Sequence, residues 1–429
     1  SNTVLPRTRH GETPLPTPYD DDIAKAHSAM QRGNLALAEI VCHGLVAQGV
    51  RVPIVFNMLG SIAATFKVYW KAVECFREEL SLSPGSPHAR SDFETAKRML
   101  REQSLRRPDG RQRFLLIKAW GCGFCSDLDH VVGCLLLADV TGRTPIIHWG
   151  RNSLFRNDDQ EDAWPSFFEP VSRYALTDLL GKGYAYFPPK WTDANLSDGD
   201  VNRIEGFASR MASIYYFNQP EDVAVADFFV GVRDVFQWIR PGHQLSGKHI
   251  STVYRELVKK YLKPRPDIVA RVDAFAHQHF EGHEVLAVHV RGSDKPGEDG
   301  GLSERNQQSL QAVSKIALQN PTLRIFLLTE DLNVSTQYAS LFGDRLITTD
   351  CLRTGSTQGI HLQPQASRAR LGTEVMTDMY LATRCSQFVG VATSNVAAMI
   401  LHLKDWPEGS TTLFGPNMHY TRTPFLFDR

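Results

Sequence analysis

The stretch Val285–Lys295, Val-Leu-Ala-Val-His-Val-Arg-Gly-Ser-Asp-Lys, constrains the fold of this chain more than any other. Five of its first six residues are apolar. A strand buried on both faces reads this way, and such strands belong to parallel sheets covered by helices. The run then gives way to His289, Arg291, Asp294 and Lys295, with Gly292 and Ser293 loosening the turn. Ligands in open α/β sheets sit at the carboxyl ends of strands. An arginine placed there offers a planar fork that suits a phosphate. A strand ending in a solvated charged loop is the plainer alternative. Four polar groups directly after a near-continuous apolar run favour a site.

The same grammar recurs downstream. Leu302–Gln319 reads as a helix, and Leu323–Thr329 as a strand ending on Glu330 and Asp331. Arg345–Thr348 is a short strand, and Leu352–Ala366 a long polar loop. A helix over Thr373–Leu381 carries Glu374, Asp378 and Tyr380. Cys385–Val391 is a strand, and Ala392-Thr393-Ser394-Asn395 opens a helix through Leu403. Ser394 at that start can cap the helix, and the same geometry can turn amides and a hydroxyl to an anion.

Upstream, Phe114–Ile117 reads as the first strand of an α/β region. The loop Ala119–Cys125, a helix over about Ser126–Val140 with Asp127 near its start, and a strand over Thr144–Trp149 complete a βαβ unit. Such a loop can bring backbone amides and a helix N-terminus against a phosphate. Cys122-x-x-Cys125 has the spacing of a redox pair or half a zinc site. The chain holds no second Cys-x-x-Cys, which argues against a four-cysteine zinc site. Residues 150–264 show no clean pattern. The acidic run 157–162 reads as a solvated loop, and a helix is expected to stop before Pro241. Ser251–Leu262 and Asp267–Phe280 have helical spacing.

His-Val-Arg-Gly-Ser-Asp-Lys resembles the His-x-Arg-x-x-Asp-Lys signature of the α1,6-fucosyltransferases, which include core and rhizobial nodulation fucosyltransferases. That family usually carries two adjacent arginines, and here Arg291 is followed by Gly292. Gly121-Cys122-Gly123-Phe124, with Leu128, His130-Val131-Val132 and Cys134, is similar to the loop and helix that open the family's catalytic domain. Val235–Pro241, with Arg240, resembles its aromatic-Ile-Arg-Pro segment. Glu330 and Asp331 match the acidic strand end that approaches guanine and ribose. Asp378 and Ser394 fall on matching places of its closing motif. The resemblance covers about Phe114 to Leu403.

It implies a GT-B glycosyltransferase with two Rossmann-like halves and fucose transfer from GDP-fucose with inversion. On this reading Arg291 and Lys295 offset charge on the β-phosphate, with Arg240 and the amides of Gly121–Phe124 assisting. Glu298 or Asp299, between glycines, stands about where the family carries its acceptor-activating acid. His289 and Asp294 orient the site, while Asp378 with Glu330 or Asp331 holds guanine or ribose. The family is metal-independent, and neither Asp127-Leu128-Asp129 nor Asp198-Gly199-Asp200 stands at a predicted strand end. Competing readings are a repeat scaffold with a decayed glycosyltransferase fold, or a transferase using another nucleotide sugar.

Before this region, residues 20–105 are alanine- and leucine-rich with helical spacing. A 34-residue offset pairs Ala38 with Ala72 and Cys42 with Phe76. The second copy, Phe56-x-x-Leu59-Gly60-x-x-Ala63 with Ala72, Phe76 and Pro84, resembles a tetratricopeptide repeat. Asp20-Asp21-Asp22 favours the first helix start, and Ser86-Pro87 opens a capping helix. Such an array can hold a peptide or protein acceptor, or form a homodimer contact. The expected divisions are 1–19 as an extended or disordered lead-in, 20–105 as the array, and 112–275 and 276–429 as the two α/β halves. A glycan, a peptide or a protein is the expected acceptor class. Equal numbers of basic and acidic residues, 47 each, point away from nucleic acid and anionic membrane. No run has the length of a membrane span, no signal peptide is visible, and seven cysteines suit a reducing cytoplasm.

Overall fold

The computed structural model describes residues 17–199, 212–292, 300–356, 358–365 and 367–422. The chain divides into two compact units at Arg107 and Pro108.

The first unit is built of α1 (Asp20–Gln31), α2 (Leu35–Ala47), α3 (Pro53–Thr65), α4 (Tyr69–Leu82) and α5 (Pro87–Leu105). Local signals start these helices. Three aspartates occupy the first turn of α1. Asn34 Oδ1 accepts from Leu37 N at 3.2 Å, and Ser86 Oγ from Ala89 N at 3.2 Å. Prolines open α3 and α5. Ala26, Cys42, Leu45, Val55, Met58, Leu59 and Cys75 form one apolar core. Gly60 permits a close approach, since a Cβ there would lie 2.6 Å from the Phe76 ring of α4.

The second unit begins with β1 (Phe114–Lys118), α6 (Phe124–Thr141), β2 (Thr144–His148), β3 (Tyr186–Phe187) and β4 (Val223–Ala226). Its first sheet runs β2-β1-β4-β3, parallel throughout. After α7 (Val232–Val235), α8 (Ile250–Tyr261) and α9 (Pro266–His279) comes a second set. It comprises β5 (Val285–His289), α10 (Leu302–Gln319), β6 (Arg324–Leu328), α11 (Leu332–Phe342), β7 (Leu346–Ile347), α12 (Arg368–Ala382), β8 (Gln387–Val391), α13 (Asn395–His402) and β9 (Thr411–Phe414). This sheet runs β7-β6-β5-β8-β9, again parallel. The chain steps outward from β5 through β6 and β7, then returns to the other side of β5 with β8 and β9. The reversal lies between β5 and β8, where loops diverge and a crevice opens. β5 is buried along its whole length. Leu286, Val288, Ile325, Leu327 and Val389 pack against Val313 and Ala317 of α10.

Two expectations change. The helix expected from Thr373 begins at Arg368. Ser367 Oγ accepts from Arg370 N, and Asn157 Oδ1 accepts from Arg368 N at 2.8 Å and Ala369 N at 3.0 Å. That cap comes from more than two hundred residues away. The acidic run 157–162 is therefore not merely solvated. Asp158, Asp159 and Glu161 are exposed, but Asn157 caps α12, and Asp162 Oδ1 takes Trp149 N and Trp164 N at 2.8 and 2.9 Å. The strands β4 and β9 were not legible, because four residues carry too little periodicity.

Among the described residues no helix is long and apolar enough to cross a membrane. Among the described residues the seven cysteines form no disulfide.

Candidate active site

A cavity of about 420 Å³ lies between the two sheets. One wall is the loop after β1 and the start of α6. The other is formed by the ends of β5 and β6, the face of α12 and the start of α13.

The first wall follows from its glycines. Gly121 has φ +86°, a left-handed backbone that a side chain resists. Gly123 is the N-cap of α6 and has no side chain to spend on the helix. The Asp127 carboxylate takes Cys122 N at 3.2 Å, which pins the turn. The first amides of this 18-residue helix thus stand at the cavity wall. The second wall repeats the device. Ser394 is the N-cap of α13, but its side chain makes no capping bond; its Oγ lies 3.5 Å from His289 Nδ1. Asn395 and Val396 line the cavity. Two helix N-termini from opposite sheets therefore meet one space, and both favour negative charge.

Arg291 lies just beyond β5 and lines the same space. Among the described lining residues it is the one arginine or lysine. Its backbone carbonyl accepts from Asn306 Nδ2 of α10 at 2.9 Å, which fixes the corner. His289 is buried beside it. Burial, helped by the Arg291 charge, pushes its pKa down to about 3, so the imidazole is neutral.

On α12, Glu374 and Asp378 stand one turn apart and face the cavity. Glu374 is held by Arg370 Nε at 2.9 Å and Leu352 N at 3.1 Å. Asp378 is nearly enclosed. Burial pushes its pKa up to about 7, against a 2.6 Å bond from Thr349 Oγ1 and the charge of Arg353, both of which favour the ionised form. Their i, i+4 spacing was the signal that could have marked Glu374 as a lining residue. His361, from the polar loop before α12, also lines the cavity, and its ring comes 3.9 Å from where a Gly123 Cβ would stand. Nothing in the local sequence marks it.

The expected site residues separate cleanly. Gly121, Cys122, Gly123, Phe124, His289, Arg291, Glu330 and Asp378 line the cavity, and Ser394 lies buried at its edge against His289. Arg240 is exposed and not among the lining residues. Asp331 is also absent from the lining. Its Oδ1 caps α11 by taking Asn333 N at 2.8 Å and Val334 N at 3.2 Å. Asp294, Lys295, Glu298 and Asp299 lie outside the described residues. Of the two thiols, Cys122 lines the cavity and Cys125 serves packing. Cys125 is buried against Met379 Sδ at 3.3 Å, and burial pushes its pKa up, so it remains a thiol. Among the described residues no group of three His, Cys, Asp or Glu side chains is placed to hold a metal ion.

Fold and cavity define an α/β protein in which an arginine and two helix N-termini meet one space between two parallel sheets. The chain is 26% identical over 283 residues to nodulation protein Z of Bradyrhizobium diazoefficiens, covering 62% of this chain and 72% of that protein. It is 24% identical over 287 residues to nodulation protein Z of Sinorhizobium fredii, covering 62% of this chain and 83% of that one. Among solved structures it is similar to the NodZ α-1,6-fucosyltransferase co-crystallised with GDP, at TM-score 0.46 and 21% identity, over 67% of this chain and 91% of that chain. No family model matches the chain.

Proposed function

We propose that this protein is a glycosyltransferase of GT-B architecture that transfers fucose from GDP-fucose to an acceptor hydroxyl with inversion. The convergence of Arg291 with two helix N-termini on one cavity carries the reading. The likeness to nodulation protein Z and the signature around Arg291 support it.

The chemistry follows from charge. As the bond from fucose C1 to the diphosphate oxygen breaks, negative charge grows on the β-phosphate. Donors fixed beforehand stabilise that charge more in the transition state than in the ground state. Arg291 supplies the formal charge, and the α6 and α13 termini supply oriented amides. Asp378 and Glu330 hold guanine or ribose through their carboxylates. Glu330 takes this part rather than Asp331, whose carboxylate is engaged in capping. Neutral His289 orients Ser394 instead of acting as a base. Lys295, Asp294, Arg240 and a base chosen from Glu298 and Asp299 complete the reading by resemblance, as does metal independence.

We read the helical unit as a tetratricopeptide-like array that holds a glycan-bearing, peptide or protein acceptor or joins two copies. Seven cysteines with no disulfide among them fit a reducing cytoplasm. A second reading, another nucleotide sugar, is favoured by Gly292. A Cβ there would lie 2.2 Å from Asp331 Oδ2, so the second arginine of the signature would displace the Asp331 carboxylate.

Calorimetric titration with GDP and then GDP-fucose, on the wild type and Arg291→Ala, tests this. Binding of both that weakens at least tenfold in the variant supports the donor cleft. Binding of UDP- or dTDP-sugars alone overturns the donor, and absence of any nucleotide binding favours the scaffold.

A further inference from the structure

Asn395 and His419 have no part in the reading above, yet they belong to one buried hydrogen-bonded chain. Asn395 opens α13 and lines the cavity. Its Oδ1 lies 3.2 Å from His419 Nε2. His419 comes from the segment after β9 and is fully buried. Its backbone N–H donates to Asn417 Oδ1 at 2.9 Å, and Met418 N donates to Ala392 O at 3.3 Å, which fastens this segment to the end of β8.

The ring's other partners fix its protons. His419 Nε2 also faces Asp129 Oδ2 of α6 at 3.7 Å. Asp129 in turn accepts from Arg233 at 3.1 Å and from the Tyr254 hydroxyl. A lone pair on Nε2 would point at a carboxylate oxygen and be repelled, so Nε2 carries the hydrogen. Nδ1 is then an acceptor, and it takes the proton of His402 Nε2 at 3.1 Å. The Tyr254 ring stacks on His402 at 4.0 Å and 6°, which holds that ring in plane. Burial keeps both imidazoles neutral, their pKa values well below the usual range. An Nε2–H donor admits only the oxygen of the Asn395 amide. The amide NH₂ is the end that His419 leaves unclaimed, on a residue that lines the cavity.

We infer that His419 is a positioning residue that locks Asn395 with its amide N–H groups towards the diphosphate of the nucleotide sugar. This rests on the donor reading given above. Were the amide turned over, its oxygen would meet a phosphate oxygen and oppose binding. A segment some hundred and thirty residues after the signature arginine thereby sets the polarity of one phosphate contact.

The test is a double-mutant cycle on GDP affinity in the full chain, by calorimetry, using Asn395→Ala, His419→Phe and the pair. Each single variant is expected to raise Kd about tenfold, the worth of one hydrogen bond to a charged group. The pair should be no weaker than Asn395→Ala alone, because His419 acts only through Asn395. His419→Gln, whose amide nitrogen replaces Nε2–H, should restore most of the affinity. Losses that add in the pair would overturn the inference, since a general structural role predicts addition. If His419→Phe does not fold, Asn395→Ala and His419→Gln still decide. Wild-type affinity in Asn395→Ala, or tenfold weakening in a folded His419→Gln, overturns it. A wild type that binds no GDP overturns the donor reading itself, and this inference with it.

Discussion

The two central strands make an instructive pair. β1 is Phe-Leu-Leu-Ile-Lys and β5 is Val-Leu-Ala-Val-His; each is five residues long and buried along its length. Each leads to a cation at its carboxyl end, Lys118 in one and Arg291 in the other. Lys118 is fully buried. Its Nζ donates to Leu196 O and Asp198 O, both at 2.6 Å, and lies 4.2 Å from the Trp191 ring centroid. The ammonium fastens a loop. Arg291 instead lines the cavity with a helix N-terminus on each side. A charge after an apolar strand marks a place where function can sit. Where it goes is decided by the tertiary fold, which sends Lys118 to two backbone carbonyls and Arg291 to the cavity wall.

The contrast is broken or sharpened by substitution. Arg291→Ala should reduce kcat/KM for fucose transfer about a thousandfold, the loss of the main charge on the leaving phosphate. Its melting temperature should stay within a degree or two of wild type in a thermal scan. Lys118→Met should do the reverse. It should cost about 2–4 kcal/mol of stability in urea unfolding, because two carbonyls lose their donor. The folded fraction should keep wild-type GDP affinity. A folded Lys118→Met without GDP binding would erase the distinction between the two strand ends.

Asp378→Asn probes the buried acid. A carboxyl whose folded pKa is raised from 3.8 to about 7 costs nothing below pH 4 and destabilises progressively as pH rises to 7, by on the order of 4 kcal/mol at full ionisation. The variant should match wild type at pH 4 and exceed it at pH 8, read from unfolding midpoints across pH. A parallel pair of curves would show that Asp378 does not titrate in this window. The smallest effect belongs to Asn157→Ala, which removes the long-range cap of α12. It should cost about 1 kcal/mol and leave Arg291 chemistry intact. An unchanged unfolding midpoint would mean that Ser367 alone suffices to start α12.

Much of the site was legible because strand ends are. The apolar runs of β5, β6 and β8 announce themselves, and the polar residues after them are the ones the topology brings together. His289, Arg291 and Glu330 line one cavity for that reason, and Asp378 reaches it from the face of α12. Asp331 was not separable from Glu330 by position alone. The next helix begins one residue on, and its amides claim the carboxylate. Arg240 has a local pattern but no strand end to aim it, and it is exposed.

By itself the sequence determined the kind of element along the longer periodic runs, the parallel character of the sheets and the polar strand ends, because hydrophobic period and local start signals act over a few residues. Only the tertiary structure decided which charges are spent on the protein's own backbone, which carboxylate loses its water and titrates near 7, and which distant side chain orients another. Asn157 on α12, Lys118 on its loop and His419 on Asn395 pair across 211, 78 and 24 residues, none at a local period. Their partners are chosen by packing, and packing distances leave no trace in sequence order.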